Sequence, residues 1–328
     1  MSKQSKIFIN IVTWNSGRDI KNCLTAVFNQ RDVDFDVLII DNASTDDTIK
    51  IVTTFFGRQF NLVKNNQNLG FAGAHNLGID FARRRGAEYV LALNPDVTLT
   101  PNFLAELASF IKHHQTAASV SGTLLNAFNP KLVDSTGLRL LRSRQVVERH
   151  AQSPLSAVNQ TPVEVFGVSG AAALYRLSAL TSIALNNEFF DEDFFAYKED
   201  ADLAWRLRLR GWSAWHVPSA TATHRRAVAR QSQRRQRGLL INRLSYKNQL
   251  LMIIKNEQSA NFWRDGFFII GFELAKLFYL LWREPLTLVS LKDFARQLPR
   301  TIVKRRENLS VNASSPKMIR LWISPLSS

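Results

Sequence analysis

The chain has 328 residues, 45% of them hydrophobic and 21% charged, ordinary proportions for globular material filling one large domain or two modest ones. Its formal charge of +15 is uneven: residues 1–224 hold 22 Lys/Arg against 21 Asp/Glu, whereas residues 225–328 hold 20 against 6. Cys23 is the only cysteine, which excludes an internal disulfide and a cysteine-built metal site; the apolar stretch before Asn15 is too short for a signal peptide, so a reducing, cytoplasmic compartment is expected.

Lys6–Thr13 predicts a first strand, and Asp19–Gln30 an amphipathic helix with Cys23 as a small buried residue on its face. Phe35–Ile40 predicts a second strand closed by Asp41-Asn42-Ala43-Ser44. A helix over Asp46–Phe56 follows, with acidic residues in its first turn where the dipole favours them. Leu62–Asn65 reads as a short strand, and the glycine-rich loop Asn68–Gly73 feeds a helix to about Arg85. Tyr89–Leu93 has the length and branching of a buried parallel strand, and Thr100-Pro101 places proline at the first position of another helix. This alternation predicts an α/β fold with a mostly parallel sheet and covered faces.

Between about 118 and 176 the texture shortens, with strands expected in Ala118–Leu124 and Val163–Arg176 and a mobile loop over Arg149–Thr161. Glu199–Arg210 has helical spacing, ended by Gly211, and Ser213–Val217 reads as a strand. The tail opens with Arg225, Arg226, Arg230, Arg234, Arg235 and Arg237, then turns apolar over Phe262–Trp282, with Arg264, Asp265, Glu273 and Lys276 inside that run. The uncharged stretch is too short to span a bilayer. With Arg283, Lys292, Arg296, Arg300, Lys304, Arg305 and Arg306 following, an interfacial helix on anionic lipid is expected. The plainer alternative is a basic helical cap packed on the catalytic domain or on a partner subunit, as in a homodimer. No nucleic-acid partner is expected, because no recognised module accompanies the arginines.

Two acidic clusters carry the chemistry. Asn94-Pro95-Asp96 ends the apolar strand, where a carboxylate points into the crevice in which open α/β sheets bind ligands. A strand-terminating turn explains the same residues. Phe194-Phe195-Ala196-Tyr197-Lys198-Glu199-Asp200-Ala201-Asp202 combines an aromatic approach with three carboxylates in four positions, costly to bury without a cation or substrate. Acids there also serve a helix dipole. Asp41-Asn42-Ala43-Ser44 suits a base or ribose, or a plain turn. The amides of Asn68 to Asn76 suit a phosphate or a nucleotide edge, although the spacing is neither a dinucleotide nor a P-loop motif. His75 reads as a packed or solvated helix histidine.

Taken together, these stretches resemble the family 2 inverting glycosyltransferases of GT-A fold, nearest their rhamnosyltransferase-like branch. The match runs in order through Val12-Thr13-Trp14-Asn15, Asp41 to Ser44, Asn68 to Gly78, Asn94-Pro95-Asp96-Val97 and Tyr197 to Leu203, covering about residues 6–226. The resemblance implies a catalytic domain over 1–226 and a basic, aromatic-rich helical region over 227–328. It implies substrate contacts from Thr13, Trp14, Asn15, Asp41, Asn42, Asn68, Gly70, Phe71, Asn76, Asn94 and Gly170. Glu199 and Asp200 become the catalytic pair, Asp200 the base. A divalent cation, Mg²⁺ or Mn²⁺, is expected on Asp96 and His224; Asn94 stands where the family's Asp-x-Asp motif has its first Asp.

The expected reaction is a single in-line displacement at the anomeric carbon. The first donor candidate is dTDP-L-rhamnose, with a lipid-linked oligosaccharide of a surface polysaccharide as acceptor at the inner face of the cell membrane; UDP-hexoses and UDP-galactofuranose compete. Two rival readings are a non-catalytic nucleotide-sugar binding protein, which needs no base, and a nucleotidyltransferase. The latter would show a glycine cluster after the first strand, where this chain has Thr13-Trp14-Asn15-Ser16-Gly17-Arg18.

Overall fold

The structure is a computed structural model that describes residues 7–57, 59–226, 238–310 and 314–324. Arg230, Arg234, Arg235 and Arg237 of the basic tail, and Lys6, lie outside the described residues. β1 (Ile7–Thr13), α1 (Ile20–Phe28), β2 (Asp36–Asp41), α2 (Thr48–Phe56), β3 (Asn61–Lys64), α3 (Gly70–Arg84) and β4 (Tyr89–Leu93) follow the predicted alternation within about two residues. Then come β5 (Val97–Leu99), α4 (Phe103–His113), β6 (Ala117–Asn126), β7 (Asn129–Ser135), β8 (Leu138–Leu141), β9 (Val146–Glu148), β10 (Val163–Val165), β11 (Ala172–Arg176), α5 (Leu177–Ser182), α6 (Glu199–Leu209) and β12 (Ser213–His224). The C-terminal region is α7 (Leu239–Asn256), α8 (Ser259–Arg283), α9 (Ser290–Ser310), α10 (Pro316–Arg320) and the short β13 (Ile323–Ser324).

The main sheet runs β10-β12-β6-β11-β4-β1-β2-β3, with β5 beside β12 and β7 beside β6. Its β4-β1-β2-β3 half is parallel, and β11 enters antiparallel between β4 and β6. One face packs Ile9, Ile11 and Leu91 against Leu24 and Val27 of α1 and Phe103 and Leu107 of α4. The other packs Phe8, Val90 and Tyr175 against Ile79 of α3 and Leu203 of α6. Each such side chain contributes about 1.5–3 kcal/mol when fully buried. The register sets Thr13 beside Asp41 and Ile11 beside Leu93, so β1, β2 and β4 deliver their last residues to one edge. That edge is where parallel sheets hold ligands.

Several expectations change. α4 starts at Phe103, whose N–H bonds Thr100 O, so Pro101 sits in the turn before the helix rather than at its first position. Val163–Arg176 divides into β10 and β11. The strand expected to stop at Val217 continues to His224; Pro218 falls in a register shift between His216 and Thr221, where no ladder bond is asked of it. Arg149–Thr161 is a pinned loop, not a loose one: Arg149 N donates to Gly137 O at 2.8 Å, Gln152 N to Val133 O at 2.8 Å, and Val158 is buried.

The C-terminal helices close against the sheet through charge as much as through apolar contact. Leu251 and Met252 of α7 and Ile319 of α10 join Trp205 and Leu209 of α6 in one cluster. Arg144 has no exposed surface and pairs with Glu257 at 2.5 Å and Asp265 at 3.1 Å. Lys255 pairs with Asp191 and, at 2.9 Å, with Asp202, which also holds Arg206 at 2.9 Å. Removing one partner of a buried pair costs about 3–5 kcal/mol, because the other charge stays in low dielectric. These pairs therefore account for Asp202, the third carboxylate of the acidic motif: it is spent on the fold.

Candidate active site

Asp41 closes β2 with both oxygens engaged: Thr13 Oγ1 donates to it at 2.9 Å, Ser44 Oγ at 2.6 Å and Ser44 N at 3.0 Å. Asn15, at φ 49°, accepts from Thr45 N at 2.8 Å, so the β1 and β2 loops brace one another. Trp14 stands between them, 55% exposed, with a free aromatic face suited to stacking on a ring. Asn42 donates to Gly70 O at 2.9 Å and ties this edge to the start of α3.

Asn68 Oδ1 accepts from Gly70 N at 2.8 Å and Asn76 spends its whole amide on Phe190 and Glu192, so these two shape the loops rather than face the crevice. His75 is fully buried against Asn10, at 3.0 Å, which agrees with its reading as a packed histidine. Gly70 has φ +73°, and a Cβ there would lie 2.4 Å from Phe195 O; only glycine fits. This contact places the α3 loop directly against the segment that leads into α6.

Asp200 lies at the first turn of α6. Gly170 N donates to its Oδ2 at 3.1 Å and Ala201 N to its Oδ1 at 2.7 Å. A Cβ on Gly170 would stand 3.2 Å from the Phe71 ring and 3.3 Å from Asp200 Cβ. Phe71, Gly170 and Asp200 thus share one wall. One residue along, Ala171 O accepts from Asn94 N at 2.8 Å. The segment before β11 therefore bridges the two acidic motifs, with Asp200 on one side and the Asn94-Pro95-Asp96 turn on the other. Glu199 is the preceding acid. Its side chain is buried near Tyr175, and burial, with the neighbouring Asp200 charge, holds its carboxyl well above the usual range. Its Oε2 has no hydrogen-bond partner among the described residues. Burial thus disfavours the charged form of Glu199, which sets it apart from Asp200, the member of the expected catalytic pair that receives two backbone N–H bonds.

Asp96 and His224 do come together. β12 pairs with β5 so that His224 lies opposite Val97, and His224 Nε2 is 3.4 Å from Asp96 Oδ1. That separation allows charge attraction without a formed hydrogen bond, and Asp96 Oδ1 is buried with no hydrogen-bond partner among the described residues. His224 Nδ1 lies 2.8 Å from Asp134 Oδ2. Burial opposes a charged imidazole, but Asp134 and Asp96 on either side raise it to about 9. An orphaned carboxylate oxygen beside a ring nitrogen whose far side is held by a second carboxylate fits a divalent cation, and binding would displace the ring proton. Among the described residues no cluster of three or more His, Cys, Asp or Glu is arranged for a metal. A two-ligand site of this kind suits a cation whose other oxygens come from a diphosphate.

Four further residues escape local pattern. Arg226, expected as the start of the tail, bonds Asp134 at 3.1 Å and Glu148 at 2.6 Å and carries its charge close to Asp200. Arg225 likewise belongs here, with N–H on Asp96 O at 2.9 Å and guanidinium on Asp19 at 2.7 Å. Asp134 and Glu148 lie in strands with no motif; the one available signal was two arginines directly after His224. Cys23 is buried under the turn, its thiol pushed up by burial and by Asp96, so it is inert.

Residues 8–183 match the model of glycosyl transferase family 2, more than half of the chain. The chain belongs to glycosyltransferase family 2. Within this family it is 28% identical over 242 residues to N-acetylglucosaminyl-diphospho-decaprenol L-rhamnosyltransferase of Mycobacterium tuberculosis, across 66% of this chain and 75% of that one, which supports the rhamnosyltransferase-like branch. It is 23% identical over 219 residues to poly-beta-1,6-N-acetyl-D-glucosamine synthase of Staphylococcus epidermidis, of which it spans 47%. S. aureus TarS in complex with UDP-GlcNAc superposes with a TM-score of 0.56 at 15% identity, over 94% of this chain and 89% of that one. The mannosyltransferase PcManGT from Pyrobaculum calidifontis, in complex with GDP-Man and Mn²⁺, gives 0.51 at 16% identity, over 98% and 79%. The fold of this glycosyltransferase is GT-A, as the resemblance in its motifs implied.

Proposed function

We propose that this glycosyltransferase inverts the anomeric centre of a nucleotide-sugar donor, dTDP-L-rhamnose first among candidates, and delivers the sugar to a lipid-linked saccharide acceptor. The observation that carries the reading is Asp200, its carboxylate aimed by Gly170 N–H along the wall it shares with Phe71, one residue from the bridge to the Asp96 turn. Thr13, Asp41 and Trp14 receive the base and ribose, and Gly70 lets backbone close on the donor. Asp96 and His224 would hold the divalent cation, which when bound offsets charge on the leaving diphosphate. Asp200 accepts the acceptor's hydroxyl proton as its oxygen attacks. Arg226, anchored by Glu148 and Asp134, adds positive charge near the developing anion. The reading is supported by the mycobacterial relative, whose name specifies L-rhamnosyl transfer to a decaprenyl-diphosphate saccharide.

The test is incorporation of label from a panel of nucleotide sugars into a prenyl-diphosphate-linked N-acetylglucosamine acceptor, with Mn²⁺ or Mg²⁺. Transfer from dTDP-L-rhamnose, with inversion, is expected. Transfer only from UDP-hexoses or UDP-galactofuranose replaces the donor, and no transfer from any of them removes the enzyme reading.

We propose further that α8 docks the protein on an anionic membrane surface. It is 25 residues long, about 37 Å. Trp263, Phe267, Ile270, Leu274, Phe278 and Trp282 repeat at helical spacing on its exposed side, Trp263 at 84% and Phe267 at 85% exposure. Arg264, Arg283, Lys292, Arg296 and Arg300 are exposed on or near it. No helix among the described residues is long and apolar enough to cross a membrane. Replacing Trp263, Phe267 and Trp282 together by serine is expected to release the protein from phosphatidylglycerol vesicles in flotation while leaving nucleotide binding unchanged. Undiminished flotation would move the docking surface elsewhere.

A further inference from the structure

The chain between Asp191 and Asp200 takes an unusual path. Phe195, Tyr197 and Lys198 all have φ between 64° and 72°, a left-handed conformation that side chains other than glycine, asparagine and aspartate rarely adopt. Three such residues in four positions need a hold. Local turns (Phe195 N to Glu192 O at 3.1 Å, Ala196 N to Phe194 O at 2.7 Å) and Lys198 Nζ on Val146 O at 3.0 Å supply part of it, and α7 supplies three further contacts to the carbonyls. Asn248, fully buried, donates from Nδ2 to the carbonyls of Phe194 at 2.9 Å, Ala196 at 2.9 Å and Tyr197 at 2.7 Å. Its Oδ1 has no hydrogen-bond partner among the described residues, so its recorded bonding goes entirely to this segment. One position earlier, Lys247 Nζ reaches Asp193 O at 2.5 Å.

The segment so held touches both halves of the candidate active site. Phe195 O accepts from Ala72 N at 3.1 Å and lies where only glycine is tolerated at position 70. Two residues past Lys198, the chain delivers Asp200. The opposite side of α7, through Tyr246, Leu250, Ile253 and Ile254, lines an apolar groove of about 290 Å³ with Ile270 and Leu274 of α8. α7 is thus inserted between the segment that carries the acid and the helix with the exposed aromatic stripe.

We infer that Asn248 is a positioning residue for Asp200, fixing the Phe194–Tyr197 carbonyls so that the carboxylate and the Gly70-Phe71 wall keep one geometry. This rests on Asp200 being the base. Asn248→Leu keeps the branching and the heavy-atom count and removes the donors. It is expected to lower kcat by about a hundredfold, the loss associated with displacing a catalytic group by an ångström, with KM for the donor unchanged. On an Asp200→Asn background the same substitution is expected to cost nothing further, since the two act through one step. Asn248→Gln is expected to restore part of the loss.

A wild-type kcat for Asn248→Leu, or a full additional loss on the Asp200→Asn background, overturns the assignment. Should Asn248→Leu fail to fold, Lys247→Gln, which removes the Nζ bonds to Asp193 O and, at 2.8 Å, to Gln297 Oε1, must show a smaller fall in kcat with the same absence of additivity. Hydrogen exchange separates this inference from the reading of the reaction. Amides of residues 195–201 should exchange faster in Asn248→Leu while those of β1 and β4 do not, whether or not a donor has been found. Unchanged exchange there refutes the hold even in an active enzyme.

Discussion

Asp200→Asn is expected to bind nucleotide as the wild type does and to lose about 10²–10⁴ in kcat, the range for removal of a positioned general base. Asparagine preserves the shape but has a single acceptor oxygen, so it keeps only one of the two N–H bonds that Gly170 and Ala201 give to separate carboxylate oxygens, while the packing of α6 against the wall with Phe71 is retained. What is lost is the ability to take a proton. The measurement is steady-state transfer beside nucleotide affinity from calorimetry. Equal turnover in the two proteins would exclude Asp200 as the base, and a joint loss of affinity and turnover would make it a binding residue.

Asp96→Ala should fail at an earlier step. Its Oδ1 is buried without a hydrogen bond among the described residues, and the His224 ring lies 3.4 Å away. Removing the carboxylate takes away one of the two protein groups expected to hold a cation, and with it the cation-dependent part of diphosphate binding. The expected result is that Mn²⁺ no longer increases thermal stabilisation by nucleoside diphosphate, whereas in the wild type it does so by mass action. Milder damage is expected from Asp134→Asn, about 10–100-fold in cation affinity, because Asp134 orients the imidazole without contacting the ion. If chelation leaves wild-type nucleotide binding and transfer untouched, Asp96 and His224 are an ion pair and nothing more.

Much of this site was legible because parallel strands end in step. Thr13, Asp41 and Asn94 each close a strand whose apolar run is visible in sequence, and the register carries all three to one edge. The Asp200 region was legible through the cost of crowding carboxylates after an aromatic run. Composition alone could not sort those carboxylates. Asp202 is neutralised by Arg206 and Lys255, Glu199 is buried with its carboxyl pushed up, and Asp200 shares the wall with Gly170 and Phe71. The resemblance also put Asn68 and Asn76 among the substrate contacts, while the structure shows their side chains bracing loops; an amide that braces a loop and one that reads a ligand look alike in sequence. Asp134, Glu148 and Arg226 were illegible for another reason. They reach the centre through the pairing of β12 with β5 and β6, contacts about a hundred residues apart that no local pattern encodes.

The ion pairs that join α7 and α9 to the Asp191–Asp202 stretch bear on how separable this protein is. Lys255 and Lys304 supply the counter-charges of Asp191, and Lys255 and Asn256 those contacts of Asp202 that Arg206 does not. A fragment cut after β12 would inherit Asp191 stripped of Lys255 and Lys304, and Asp202 with Arg206 alone. The helical region is therefore not a detachable unit: transplanting it, or trimming it to improve solubility, would unmake the Asp191–Asp202 stretch along with the exposed aromatic stripe of α8.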